Sequence, residues 1–310
     1  MEQSSNLSFT QKPAVRFLYN NVYGLLRTLR PRQWIKNGLV FMALLFDQKL
    51  TNWPLLFNTT AAFVLFCMVS STVYIINDLA DIEKDKLHPR KRRRALPSGQ
   101  LKPWFAILGA VGILAVCLPL SFLLNVYLGA IILGYFLLNL AYSFWLKHVV
   151  LIDVMVVASC YVLRVAAGVV AADAERFSPW LYLCTILLAL FLAIGKRRNE
   201  LTLLADGANS HRRILDEYTA PLLDEMNHLV TAGALIAYSL YTFSAPNLPN
   251  NYSMMLTIPF VIYFLFRYQY LIHVKDEGGA PEMLLYQDRP LLLNVVLWVV
   301  AIVLIMYVFN

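Results

Sequence analysis

The chain has 310 residues, 59% hydrophobic and only 15% charged, with a mean hydropathy of +0.59 and a formal net charge of +7. A soluble domain is about one quarter charged, so this composition excludes an ordinary soluble globular protein and implies a polytopic membrane protein. The positive balance then concerns the membrane surface and anionic ligands, and no nucleic acid partner is expected. Cys67, Cys117, Cys160 and Cys184 all lie inside apolar runs without metal-ligand spacing, which argues against a disulfide framework or a thiolate metal site.

In chain order, residues 1–32 form a polar to mixed cytoplasmic segment without an apolar-cored signal peptide. Leu18, Val22, Leu25, Leu26 and Leu29 recur there at helical spacing among Arg16, Arg27 and Arg30, as in a short interfacial helix. Residues 33–310 read as a single transmembrane catalytic domain, all-α, with nine spans at about 34–52, 55–78, 103–122, 125–144, 149–171, 179–198, 227–246, 253–273 and 291–309. Pro and Trp punctuate the breaks, at Asn52-Trp53-Pro54, Leu101-Lys102-Pro103 and Ser178-Pro179-Trp180. With the N-terminus in the cytoplasm, 23 of the 26 Lys and Arg residues fall on the cytoplasmic side, the asymmetry that fixes membrane orientation. The longer cytoplasmic loops are then about 86–102 and 199–226, and ILDEYTAPLLDEM in the second suits a membrane-lying or cavity-capping segment.

The stretch Asn77–Gly99 carries the chemistry. Asp78, Asp81 and Asp85 are spaced by three and then four residues, which places their carboxylates on one helical face. Like charges on one face repel, and a bound divalent cation reverses that penalty; magnesium commonly bridges carboxylates to substrate phosphates. Arg90, Lys91, Arg92, Arg93 and Arg94 follow at once, so acid face and basic loop together suit a metal–diphosphate complex. A solvated loop between membrane helices accounts for the cations alone but not for the aspartates at the membrane boundary. His88 precedes Pro89 in this loop without a second histidine at ligand spacing, and it is left out of the catalytic set.

Ionisable residues within spans are costly and are functional candidates by default. Asp153 lies one turn into the fifth span and Arg164 eleven residues on, on roughly the same face. Lys147 precedes Asp153 and follows Tyr142; Lys36 and Asn37 open the first span; Lys196 and Glu200 close the sixth at i, i+4 spacing, within GKRRNEL. Snorkelling, anchor-lysine and helix ion-pair explanations stand beside the functional ones for Arg164, Lys147 and the Lys196–Glu200 pair. Neither a P-loop, a dinucleotide fingerprint nor a nucleophilic triad is present in the sequence.

These residues resemble the UbiA superfamily of intramembrane prenyltransferases, whose fold is a nine-helix bundle around a lipid-accessible cavity. The superfamily's first motif, N-D-x-x-D-x-x-x-D, stands here as Asn77, Asp78, Asp81 and Asp85, and its Tyr and Lys near the end of the fourth helix as Tyr142 and Lys147. Its usual second acidic motif, D-x-x-x-D, is replaced by Lys196, Arg197, Arg198, Asn199 and Glu200. RPRQWIKN, NDLADIEKDKLHP, YSFWLKHVVLIDV, VLRVAAG and GKRRNEL are similar to the branch that joins 5-phosphoribosyl 1-diphosphate to a polyprenyl phosphate, with a product destined for cell-wall arabinan.

The resemblance implies Mg2+ on Asn77, Asp78, Asp81 and Asp85, with Asp78, Asp81, Asp85 and Lys147 as the catalytic set. It implies substrate binding by Lys36, Asn37, Asn77, Lys91, Arg94, Tyr142, Asp153, Arg164, Lys196, Arg197 and Glu200. It further implies the cell membrane as location, and it leaves room for a homo-oligomer. Prenyl transfer to an aromatic acceptor, and lipid carriage or transport without chemistry, are the alternatives.

Overall fold

The computed structural model describes residues 13–87, 91–174, 178–205, 213–245, 248–275 and 281–308, and among these every regular element is helical. His88, Arg90, Arg176 and Arg212 lie outside the described residues. In chain order the α-helices are α1 (Pro13–Thr28), α2 (Met42–Phe46), α3 (Trp53–Ala80), α4 (Ile82–Leu87), α5 (Pro103–Leu124) and α6 (Val126–Phe144). They continue as α7 (Ile152–Ala171), α8 (Pro179–Ala205), α9 (Ala220–Ser244), α10 (Ile258–Val274), α11 (Pro281–Gln287) and α12 (Arg289–Tyr307). Short 3-10 helices fill several connections, at Pro31–Phe41, Lys91–Arg93, Leu146–His148, Arg213–Glu217 and Ser253–Thr257.

Seven segments among the described residues are helical, long and apolar enough to cross a membrane: α3, α5, α6, α7, α8 as far as Thr202, Ser253–Val274 and α12. The count of nine is not confirmed. The first expected span, 34–52, is a 3-10 helix followed by the five residues of α2 and a turn in which Gln48 takes φ 57°. Polar residues interrupt it at both ends, with Gln33, Lys36 and Asn37 before Asp47, Gln48 and Lys49. The seventh, α9, has 25 residues and starts seven residues earlier than expected, at Ala220. Thr219 caps it by accepting from Leu222 N, Pro221 suits its first turn, and Asp224, Glu225, Asn227 and His228 lower its apolarity.

The loop expected at 199–226 shrinks accordingly. α8 runs to Ala205, and Ile214, Leu215 and Tyr218 are buried in a core with Phe191, Leu223, Leu265 and Tyr268. Burying three large side chains from one short segment stabilises it at about 1.5–3 kcal/mol for each side chain. The segment is thereby a packed part of the helical core.

Contacts divide the chain into two units, residues 1–32 with 70–116, and residues 33–69 with 117–310. In the first unit α1 rests on the start of α5. Buried Asn21 accepts from Lys102 N at 2.8 Å while donating to Phe17 O at 2.9 Å, and Phe17 stacks on Trp104. Gly24 permits the approach, because a Cβ there would lie 3.0 Å from that of Leu101. Ser71 of α3 donates to Leu29 O at 2.9 Å. The outward side of α1 exposes Val15, Leu18, Tyr19, Val22 and Leu26.

In the second unit α7, α8 and α9 pack in sequence, with α10 and α12 against each other. Gly168 of α7 lies directly on the Val40 carbonyl, where a Cβ would collide, so the glycine sets the distance between α7 and the 3-10 helix. Asp288 caps α12, its carboxylate accepting from Leu291 N at 2.8 Å and from both Nε and Nη2 of Arg267.

Candidate active site

The acidic ladder sits where α3 gives way to α4. Backbone bonds from Asp81 N to Asn77 O and from Asp85 N to Asp81 O carry the helical register across the junction. The three aspartates therefore share one face, the expected geometry. Asp78 and Asp85 are buried, while Asn77 and Asp81 are half-buried.

Arginines already neutralise this face. Arg94 Nη1 lies 3.0 Å from Asp78 Oδ1 and 2.7 Å from Asp85 Oδ2, and Arg30 Nη2 reaches Asp78 Oδ1 at 2.5 Å. Lys91 Nζ stands 4.0 Å from Asp85 Oδ1. Arg94 and Lys91, expected to await phosphate, are thus engaged with the ladder itself. Asp81 has no side-chain hydrogen bond or ion pair among the described residues.

Arg30 stands in the sequence among the cations of the N-terminal segment and opens RPRQWIKN; its pairing with Asp78 emerges from the fold. Its φ of 53° is a left-handed backbone for a non-glycine residue, a conformation that costs energy and needs support from surrounding contacts. Pairing with Asp78 and stacking over the Tyr74 ring at 4.9 Å provide such support.

The donors around Asp78 and Asp85 fit a divalent cation in kind. Asn77, Asp78, Asp81 and Asp85 offer only hard oxygen ligands, which suit magnesium. One arginine nitrogen serves both buried carboxylates, so a cation already stands between them. Among the described residues, however, no group of three or more His, Cys, Asp or Glu converges as a formed metal site.

A second charged cluster belongs to the other unit. Arg197 of α8 donates from Nε to Asp153 Oδ2 at 2.5 Å, from Nη1 to Glu200 Oε2 at 2.6 Å, and from Nη2 to Tyr142 OH at 2.9 Å. Glu200 thus takes a partner at i, i+3, one residue nearer than the Lys196 spacing considered from sequence. Tyr218 OH donates to Asp153 Oδ1 at 2.7 Å and accepts from Leu151 N at 2.8 Å. Leu151 holds φ 65° at the start of α7. Burial and donation to Asp153 push the Tyr218 hydroxyl up to about 12. No spacing or motif marks Tyr218 in the sequence. Lys147 and Lys196 are half-buried.

Arg164 belongs to a separate network. It donates from Nε to Asn37 Oδ1 at 2.7 Å, from Nη1 to Cys160 O at 2.7 Å and from Nη2 to Tyr135 OH at 2.8 Å. Its guanidinium lies over the Tyr135 ring at 4.8 Å, and Asn37 donates in turn to Cys67 Sγ at 3.3 Å. Asp153 and Arg164, which share a helical face in the sequence, therefore serve different partners. Lys36 is half-buried beside Asn37.

Membrane-length helices, an aspartate ladder closing one of them and a buried arginine network closing another define a multi-pass membrane protein with charged chemistry at its helix ends. The chain belongs to the UbiA prenyltransferase family, whose profile matches residues 38–287. It is 33% identical over 299 residues to decaprenyl-phosphate phosphoribosyltransferase of Mycobacterium tuberculosis, covering 94% of this chain and 96% of the relative. The enzyme of that name from Corynebacterium glutamicum is 34% identical over 292 residues, covering 92% and 87%. In three dimensions the chain is similar to a UbiA homologue from Archaeoglobus fulgidus bound to GPP and Mg2+, with TM-score 0.68 and 19% identity over 92% of this chain and 100% of that one. The structural likeness concerns the fold.

Proposed function

We propose that this protein transfers the 5-phosphoribosyl group of 5-phosphoribosyl 1-diphosphate to a polyprenyl phosphate, probe substrate decaprenyl phosphate, with release of diphosphate. The observation that carries the reading is the one-third identity, over more than nine tenths of both chains, to a relative of that name. The replacement of a second acidic motif by Lys196, Arg197 and Arg198 supports it through Lys196, since Arg197 pairs with Asp153 and Glu200, and Arg198 with Asp224.

A bound magnesium ion on Asn77, Asp78, Asp81 and Asp85 would neutralise charge that builds on the leaving diphosphate. Lys147 and Lys196, half-buried lysines, are proposed to bind substrate phosphate groups. Arg197 has its Nε, Nη1 and Nη2 committed to Asp153, Glu200 and Tyr142, so its proposed part is to fix the end of α8. Arg164 and Asn37 are proposed to keep a polar wall rigid near the 3-10 helix. The bond that breaks joins the ribose carbon to the diphosphate, and the bond that forms joins it to the lipid phosphate. That phosphate is already anionic, so the reaction needs no general base. Apolar helix walls seat the isoprenoid tail, and exclusion of water protects the ribosyl donor from hydrolysis.

The proposed setting is the cell membrane, with the N-terminus and the charged helix ends in the cytoplasm. α1 lies in the interface with its apolar side toward lipid. The product serves cell-wall arabinan synthesis in this reading.

The test incubates the purified protein in detergent with magnesium, labelled 5-phosphoribosyl 1-diphosphate and decaprenyl phosphate, with and without chelator. Chelator-sensitive label in the lipid phase is the expected result. Absence of transfer, where a prenyl diphosphate is consumed with an aromatic acceptor, would move the chain to prenyl transfer.

A further inference from the structure

We infer that Arg94 is an exchangeable counter-ion: it holds Asp78 and Asp85 in the cation-free protein and yields to a divalent cation, becoming a ligand for the phosphate groups that arrive with it. The inference rests on the magnesium reading above and goes beyond it, because it assigns one side chain two successive partners.

The side chains of Asp78 and Asp85 are each only 4% exposed, and both approach a single nitrogen of Arg94. Each places a carboxylate oxygen within 3.0 Å of that nitrogen, so a single cation stands between two buried acids. Arg94 is that cation, yet its own side chain is 33% exposed and sits on a short turn closed by Arg94 N donating to Lys91 O at 2.9 Å. The acids are therefore enclosed, while water reaches the base.

Asp78 Oδ1 already accepts from both Arg30 and Arg94. A metal ion bound through that oxygen competes with these donors for the same lone pairs. Locally, Asp78, Asp81 and Asp85 balance Arg30, Lys91 and Arg94. Adding a divalent ion leaves a surplus of positive charge, which a diphosphate removes. A guanidinium displaced from a carboxylate finds in phosphate the other planar anion edge it grips with two bonds. Asp81, half-buried and without a side-chain partner among the described residues, offers an incoming cation its first ligand before any ion pair breaks. Arg30 suits the exchange less, because among the described residues it pairs with one carboxylate, Asp78, and stacks on Tyr74.

The experiment titrates Mn2+ into the purified full chain in detergent, without donor, and reads free Mn2+ by electron paramagnetic resonance. Removing the competitor in Arg94→Gln should tighten Mn2+ binding roughly tenfold, the worth of a charge-assisted hydrogen bond. Arg94→Lys should fall between Arg94→Gln and wild type. Adding inorganic diphosphate should tighten Mn2+ binding in the wild type far more than in Arg94→Gln. Unchanged or weaker Mn2+ binding in Arg94→Gln overturns the exchange.

A measurement on the wild type covers the case in which Arg94→Gln fails to fold. Phenylglyoxal modification of Arg94, quantified by peptide mass spectrometry, should rise with Mg2+ and fall again when diphosphate is added. A constant extent of modification overturns the inference. Absence of Mn2+ binding in every variant, with or without diphosphate, overturns both the exchange and the metal reading. Failure of ribosyl transfer with the Mn2+ pattern intact overturns the proposed reaction alone and supports the exchange.

Discussion

The two charged clusters are built from the same residue types and differ in what surrounds them. Around the ladder, buried Asp78 and Asp85 meet arginines whose side chains are 25% and 33% exposed. At the end of α8, Arg197 and Asp153 are both buried, 3% and 0% exposed, and Tyr218, Tyr142 and Glu200 complete the hydrogen bonding. Water reaches the arginines of the first cluster. At the second, loss of Asp153 or Arg197 leaves its charged partner buried in low dielectric. One arrangement is suited to exchanging cations, the other to holding a shape.

The strongest way to break this contrast is to remove one member of the buried pair. Asp153→Leu should destabilise the protein by about 3–5 kcal/mol, because Arg197 stays buried with fewer acceptors. The double variant Asp153→Leu with Arg197→Met should recover much of the loss, measured by thermal unfolding in detergent. Equal damage in single and double variants would deny the pair its locking role.

The ladder should respond the opposite way. Asp81→Asn breaks no ion pair, so unfolding should shift by less than about 0.5 kcal/mol. Ribosyl transfer should nevertheless drop by roughly a hundredfold or more, the scale of losing one charge-stabilising group. Near-normal turnover would remove Asp81 from the metal-binding set.

Tyr218→Phe sharpens the comparison at intermediate size. It deletes one donor to Asp153 and one acceptor for Leu151 N, at a cost of about 1–3 kcal/mol. The pH dependence has a definite sign. A hydroxyl whose ionisation is raised on folding contributes fully below the unfolded tyrosine value of about 10. That contribution is lost as pH rises through about 12. The variant should lack this alkaline component of unfolding.

The smallest effect concerns Asp288, which caps α12. Asp288→Ala should cost about 1 kcal/mol of stability. Hydrogen bonding from Arg267 holds the Asp288 carboxyl below the usual range. The wild-type contribution is thus complete above the unfolded aspartate value of about 3.9 and is lost as pH falls below it. Acid unfolding curves of wild type and variant should converge on that side.

The sequence alone determined that this chain is helical and crosses a membrane, because apolar runs of that length have few other soluble or folded outcomes. It also determined that Asp78, Asp81 and Asp85 share a face, because helical periodicity is local and survives the α3–α4 junction. Local pattern misjudged segments whose character came from elsewhere. Residues 34–52 read as a plain span and are broken into a 3-10 helix, set against α7 at Gly168, the short α2 and a turn. ILDEY read as loop and is core, because Ile214, Leu215 and Tyr218 meet apolar partners brought in by α8 to α12. Only the tertiary structure decided which cation serves which carboxylate. Arg197 and Asp153 are 44 residues apart, Tyr218 and Asp153 65, and Arg164 and Asn37 127. Charge has no sequence periodicity that selects a distant partner; helix packing selects it by fixing which ends meet out of water.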